Sequence, residues 1–381
     1  MSAETILTNA RIVTARDVFH GSLVVRDGTI ADLDESRSAL PQALDLEGDY
    51  LMPGLIELHT DNLEKHMNPR PGVDWPSLSA IMTHDAQVAA SGITTVFDAL
   101  SIGDINPRGN RLEKLAPMLE AIDCAETSGL TRAEHRLHLR CEVVHPQTQA
   151  TFERLADHPR LSLVSIMDHS PGQRQFVNLD KYRTYYMGKY GLNDVEMDEL
   201  MRRQLRNAHL NSYRQRRAIV RHCSERGVAL ASHDDATAAH VEESAGLGMS
   251  IAEFPTTVEA ADASHVKGLR VMMGAPNIVR GGSHSGNVAA SVLAEHGTLD
   301  ILSSDYYPSS LLQAAMKLAE LDNGYDLPQA INTVSKTPAQ AVGLADRGQI
   351  APGLRADLIR VRVHHQYPVI RQVWKQGRRV S

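Results

Sequence analysis

Cysteine is scarce in this chain of 381 residues: Cys124, Cys141 and Cys223 lie far apart, and no Cys-x-x-Cys pair is present. That excludes the usual sequence forms of structural zinc and of a dithiol redox centre, and it fits a reducing cytoplasm. The N-terminus has no basic stretch leading into an apolar core, and no apolar run approaches bilayer length. A soluble protein without a secretory leader or membrane span is therefore expected. Positive charge is also in deficit. A formal net charge of −7 argues against a nucleic-acid partner, because phosphate backbones are held by broad basic surfaces. An anionic small molecule stays open, provided that bound metal and a local cluster of donors overcome the overall field. Internal repeats and low-complexity tracts are missing as well.

Hydrophobic residues make up 42% of the chain, ample for a large core. Eight short apolar segments recur at 55–59, 93–100, 137–143, 161–168, 228–233, 250–254, 270–274 and 299–304, with stretches of helical character between them. This rhythm predicts repeated strand-helix units, and eight is the number that closes a (β/α)8 TIM barrel. The first 50 residues carry hairpin signals around Asp27-Gly28, and the tail from Gly348 has similar strand-like texture. The expected architecture is α/β, a distorted TIM barrel over 51–347 with a small β-sandwich domain built from 1–50 and 348–381. The Tyr- and Arg-rich insertion 181–217 reads as a solvated helical hairpin in preference to a substrate lid.

Several of the apolar segments end in ionisable residues, and in a barrel those ends line the active site. His59 and Asp61 are two apart on the first predicted strand, so they share a face. With Glu142, His233 and Asp305 they form a set of two imidazoles and three carboxylates suited to two divalent ions, zinc or manganese. Glu142 is placed to bridge them, and Asp168 or Glu253 would complete the set. Asp305 combines two expected roles, metal ligand and acceptor of the proton from the attacking water. The run Arg280-Gly281-Gly282-Ser283-His284-Ser285-Gly286-Asn287 predicts a phosphate cradle opening a helix at 288–290, with Arg280, Ser283, His284 and Asn287 as donors. It matches no Walker pattern, and an ordinary glycine-rich loop is the plain alternative. Asn62, Lys65, Arg70 and Arg174 read equally as contacts to a polyphosphate tail and as solvated loop residues. His138, His145 and His222 read as structural.

The segments Pro53-Gly54-Leu55-Ile56-Glu57-Leu58-His59-Thr60-Asp61 and Gly348-Gln349-Ile350-Ala351-Pro352-Gly353-Leu354-Arg355-Ala356-Asp357-Leu358 resemble the signatures that bracket the barrel in the amidohydrolase superfamily. The chain departs from the common pattern in having Asp61 where a second histidine is usual, no lysine at the end of strand four, and Glu253 where strand six often offers histidine. A carboxylated bridging lysine is thus not expected. The departures, with the runs 53–71, 131–142, 167–176, 231–237 and 274–287, are similar to a narrower family, the ribose-triphosphate diphosphatases of the bacterial carbon-phosphorus lyase pathway. This resemblance covers nearly the whole chain. It implies metal-dependent hydrolysis of alpha-D-ribose 1-methylphosphonate 5-triphosphate to the 5-phosphate and pyrophosphate, and it allows for a homo-oligomer. Two alternatives are a conventional amidohydrolase acting on a cyclic amide or amino-substituted ring, and a non-catalytic subunit of a phosphonate-processing complex.

Overall fold

A computed structural model describes residues 4–105, 111–283 and 286–381. Eight parallel strands follow one another around a barrel: Leu55–Thr60, Ile93–Ile102, Glu134–Glu142, Leu161–Met167, Ala229–His233, Ile251–Glu253, Arg270–Gly274 and Ile301–Ser303. Most are buried along nearly their whole length, because helices cover the outside of the sheet and side chains fill the inside. Strand three begins at Glu134, three residues earlier than its apolar pattern indicates, where Glu134 pairs with Thr95 and His135 with Val96. Strands six and eight are shorter than expected. Phe254 and Asp305, just beyond their ends, turn into the left-handed region at φ 57° and 55° and leave the ladder.

Ile56, Leu58, Phe97, Leu163, Ala231, Ile251, Met272 and Ile301 belong to one apolar cluster fed by seven of the eight strands. Two residues beyond Ala231 and Ile251, on the same strand faces, stand His233 and Glu253, register partners across strands five and six. The apolar layer thus gives way directly to the polar ends. Closure between strands one and eight occurs at the same level, where Thr60 bridges to Asp305. The Asp305 amide donates to the His59 carbonyl at 3.1 Å, and the Asp61 amide donates to the Asp305 carbonyl at 3.2 Å. Glu57 reinforces this seam by accepting from the amides of His59 (2.7 Å) and Ser304 (2.5 Å).

Both termini build the second sheet, of eight mostly antiparallel strands, around Leu7, Ile12, Leu23, Val25, Leu51, Leu358 and Trp374. Its strand Tyr50–Pro53 continues into the first barrel strand through Gly54, where any Cβ would fall 2.3 Å from Thr94 Oγ1. That contact explains why glycine stands between the two sheets. Glu134, at the base of barrel strand three, accepts from Arg347 (2.7 Å) and Arg355 (2.6 Å) of the closing segment. Burial opposes its charge, but the two guanidinium groups outweigh burial and hold its pKa down to about 2.

The insertion after strand four forms two helices, Leu179–Tyr190 and Asp194–Arg226. Asn178 caps the first by accepting from the amides of Asp180 and Lys181, and Gly191 ends it at φ 63°. Tyr182 and Tyr186 are buried with Phe176, Met197 and Leu200. This apolar cluster joins the two helices to each other and to Phe176, so the expected helical hairpin is present with one buried face on each helix and is not solvated throughout. Among the described residues no helix is long and apolar enough to cross a membrane.

Candidate active site

A cavity of about 380 Å³ opens at the C-terminal ends of the barrel strands. His59, Asp61, Glu142, His233 and Asp305 all face it, so the residues singled out from strands one, three, five and eight meet in one place. Glu253 holds two of them. Its Oε1 accepts from His59 Nδ1 and its Oε2 from His233 Nδ1, each at 2.5 Å, leaving the two rings nearly parallel at a centroid distance of 6.1 Å. With Nδ1 committed to a buried carboxylate, Nε2 is the nitrogen left for a ligand. The carboxylate expected as an alternative metal ligand is instead engaged through both oxygens in orienting these imidazoles.

His169 and Asp234 also face the cavity, and sequence patterning missed both. His169 Nδ1 lies 2.6 Å from Glu142 Oε2, while its Nε2 and that of His233 lie 3.5 Å and 3.4 Å from Asp234 Oδ2. His169, His233 and Asp234 offer one ligand atom each within 4.8 Å of one another. A usable signal was present, since His169 follows strand four by two residues and Asp234 directly follows His233. Asp234, Phe254 and Asp305 all have positive φ, at 58°, 57° and 55°. Non-glycine residues are costly there, and strain of this kind gathers where side chains must be aimed.

The electrostatics of the centre favour a cation. Burial disfavours charge on His169, yet Glu142 and Asp234 outweigh it and raise its pKa to about 10. Burial likewise opposes the charge on His59, and Glu253 overcomes it to raise the pKa. Glu253 itself is also desolvated, but His59 and His233 hold it well below the usual carboxylate range. Three imidazoles anchored through Nδ1, surrounded by Asp61, Glu142, Asp234 and Asp305, are the donor types that zinc and manganese take. The residues present therefore fit a divalent metal centre.

Other expected members of the site are elsewhere. Asp168 lies off the cavity wall, where its carboxylate accepts from Ser170 Oγ at 2.6 Å and pairs with Arg216 at 3.1 Å, so it is corrected from metal ligand to structural ion pair. Arg174 is buried in ion pairs with Asp235 and Glu243, and burial together with the Arg216 charge lowers its pKa to about 10. Asn62 is turned away, its Nδ2 lying 3.0 Å from both His84 Nδ1 and Gln87 Oε1. Lys65 is tied to the Tyr306 carbonyl, and Arg70 is exposed in a small turn bridged to Val73. Neither lies in the cavity wall.

Arg280, Ser283 and Asn287 do face the cavity, whereas His284 lies outside the described residues. Arg280 ends a short helix, Ala275–Arg280. The helix expected to open at 288–290 begins at Ala290, whose amide donates to Asn277 Oδ1 at 3.0 Å. Side chains and the loop, not free amides of that helix, are what the cavity receives. Across the mouth stand Tyr185, Tyr186, Lys189 and Tyr190 from the first inserted helix, and Arg111, which pairs with Glu64 at 3.2 Å. The insertion therefore contributes a wall of the cavity.

Residues 86–381 match the model of the amidohydrolase family. Over 376 residues, 98% of this chain and 100% of the relative, the sequence is 56% identical to the alpha-D-ribose 1-methylphosphonate 5-triphosphate diphosphatase of Escherichia coli (strain K12). Among solved structures the fold is similar to 5-methylcytosine deaminase from Klebsiella pneumoniae, with a TM-score of 0.65, 14% identity, and 99% and 98% of the two chains covered. It is also similar to N-acetylglucosamine-6-phosphate deacetylase from Pasteurella multocida, with a TM-score of 0.61, 14% identity, and 98% and 99% covered. At such identity those two speak for the fold alone. On the family match and the near full-length relative, this chain belongs to the amidohydrolase family.

Proposed function

We infer that this protein is a metal-dependent diphosphatase that hydrolyses alpha-D-ribose 1-methylphosphonate 5-triphosphate to the 5-phosphate and pyrophosphate, the activity named for its 56%-identical relative. The observation that carries the reading is the coexistence, in one cavity, of a metal-type donor set with cationic and hydroxyl groups suited to phosphates. A conventional amidohydrolase has no need of Arg280 and Ser283 opposite Lys189 and Arg111. A non-catalytic subunit has no need of the anchored imidazoles.

His59, Asp61, Glu142, His169, His233 and Asp305 would hold the metal, with Glu142 also anchoring His169 through Nδ1; we propose two ions, zinc or manganese. When bound, such ions acidify water and neutralise phosphoryl charge. The protein's own groups then divide the remaining work. Asp305 accepts the proton of the attacking water at its carboxylate. Arg280, Ser283 and Asn287 hold the departing phosphates on the side of strand seven. Arg111, Lys189 and the tyrosines, above strands two to four, receive the ribose and its phosphonate. The opposed positions of these groups suit a substrate anionic at both ends. A cytoplasmic setting agrees with three free cysteines.

The test is pyrophosphate release from the ribose triphosphate by purified protein, chelator-treated and then reloaded with zinc or manganese. Turnover that disappears with the metal and returns on reloading is expected. A reloaded protein that leaves the triphosphate intact would defeat the reading.

A further inference from the structure

Arg140 belongs to barrel strand three, two residues before Glu142 and on the same face, and its side chain reaches the cavity wall. Its Nε is buried without a hydrogen-bond partner. Among the described residues no ion pair joins its guanidinium to a carboxylate. The contrast with the fold's buried arginines is sharp. Arg174 pairs with Asp235 and Glu243, Arg216 with Asp168 and Glu243, Arg347 with Glu134, and Arg360 with Asp49. A desolvated Nε with no partner is costly, and while the fold pairs its buried arginines with carboxylates, it leaves this half-buried guanidinium at the wall of the active-site cavity.

We propose that Arg140 is a substrate-contacting residue that receives the nonbridging oxygens of the phosphoryl group under attack and so adapts this barrel to phosphoric anhydrides. The proposal rests on the diphosphatase reading. A fixed cation on the cavity floor matches a trigonal phosphoryl group whose charge lies on its equatorial oxygens. A planar fork with several donors holds two such oxygens at once, which an ammonium group does not. A carboxamide carries no such charge before attack, so the same cation would have no ground-state partner there.

The experiment compares wild type, Arg140→Lys and Arg140→Met in metal-loaded form. It measures kcat and KM for pyrophosphate release, bound metal, and calorimetric affinity for inorganic pyrophosphate as a probe. Expected for Arg140→Met is a fall in kcat of about 100-fold or more, on the scale of one lost anion-stabilising donor. Pyrophosphate affinity should drop about tenfold with metal content unchanged, and added guanidinium ion should restore part of kcat. Arg140→Lys should recover only a fraction, because the charge returns without the fork. If the methionine variant does not fold, the lysine variant carries the same comparison. The proposal is overturned by kcat and pyrophosphate affinity within about threefold of wild type in either folded variant, or by loss of metal that accounts for the whole effect. A wild type that binds pyrophosphate through Arg140 yet leaves the ribose triphosphate intact would instead defeat the diphosphatase reading.

Discussion

Two histidine-carboxylate clusters are built on different strands of the same barrel, and only one of them lines the active-site cavity. In the open cluster, Glu253 holds His59 and His233 through Nδ1, and the rings look into the space shared with Asp61 and Asp305. In the closed cluster, Asp98 accepts from His84 Nε2 at 2.8 Å and His135 Nδ1 at 2.7 Å, with all three side chains fully buried. His84 Nδ1 meets Asn62 at 3.0 Å and His135 Nε2 meets Asp85 at 3.4 Å, so both nitrogens of both rings are spent. Composition and spacing do not separate these groups; the second ring nitrogen does. Where it faces a cavity, the carboxylate prepares a ligand. Where it meets another side chain, the same chemistry makes a buried ionic network that joins the helix Ser77–Ala90 to strands two and three.

The comparison is broken most severely at the open cluster. His59→Ala and His233→Ala should each reduce bound metal and abolish measurable turnover while the barrel still folds, with a lowered melting temperature because each ring is also a buried partner of Glu253. Metal analysis beside thermal unfolding checks this. Either variant keeping wild-type metal and turnover would remove its residue from the centre.

A smaller loss separates metal holding from proton transfer. Asp305→Asn preserves size and some coordination but removes the basic carboxylate, so single-turnover rates should fall by about 100-fold or more while metal affinity changes less. A step that stays near wild-type speed across pH would assign the proton to another group, with Asp234 the nearest in kind.

Arg280→Ala stands next in size. Loss of a charged contact to the departing phosphates should cost about 2 to 4 kcal/mol of transition-state stabilisation, read as kcat/KM, with metal content intact. Unchanged kinetics with the triphosphate would reduce the loop to a structural role.

The open cluster was partly legible in the sequence and the closed one was not. Strand-end position identifies His59, Asp61, Glu142, His233 and Asp305 as neighbours, because parallel strands in a barrel bring their C-terminal ends together whatever their separation along the chain. It fails for Asp168, which has the same position but is drawn to Arg216, a residue of the long inserted helix. Arg174 and Asn62 fail similarly. Polar residues beside a motif look alike until their partners are known, and those partners come from helices whose docking no local pattern encodes. Tyr186 and Lys189 were hidden for the converse reason. The insertion is charged overall, and only the burial of Tyr182 and Tyr186 against Phe176 turns the first helix toward the cavity. His135, read as part of a family motif, has its partners on strand two and the helix before it.

The smallest effect on activity is expected at the closed cluster, where the change should appear in stability. His135→Gln keeps the approximate size and one donor but removes the charge, and breaking a buried pair costs about 3 kcal/mol or more. Its pH dependence has a definite sign. Burial opposes protonation of His135, but Asp98 and Asp85 outweigh it and raise the pKa from 6.5 to about 10. A raised folded-state pKa contributes stability that is complete below about 6.5 and is lost as pH rises through about 10. Asp98 is lowered, despite its burial, by His135 and His84, so its contribution is present above the ordinary carboxylate value and is lost only in strong acid. Wild type should therefore exceed His135→Gln most clearly near pH 6, and the difference in unfolding free energy should narrow steadily toward pH 10, with metal content the same in both proteins throughout. Denaturant unfolding across that range, with metal analysis at each pH, checks the pair. A difference that does not change with pH would mean that His135 is neutral in the fold, and a loss of metal in the variant would erase the distinction between the two clusters.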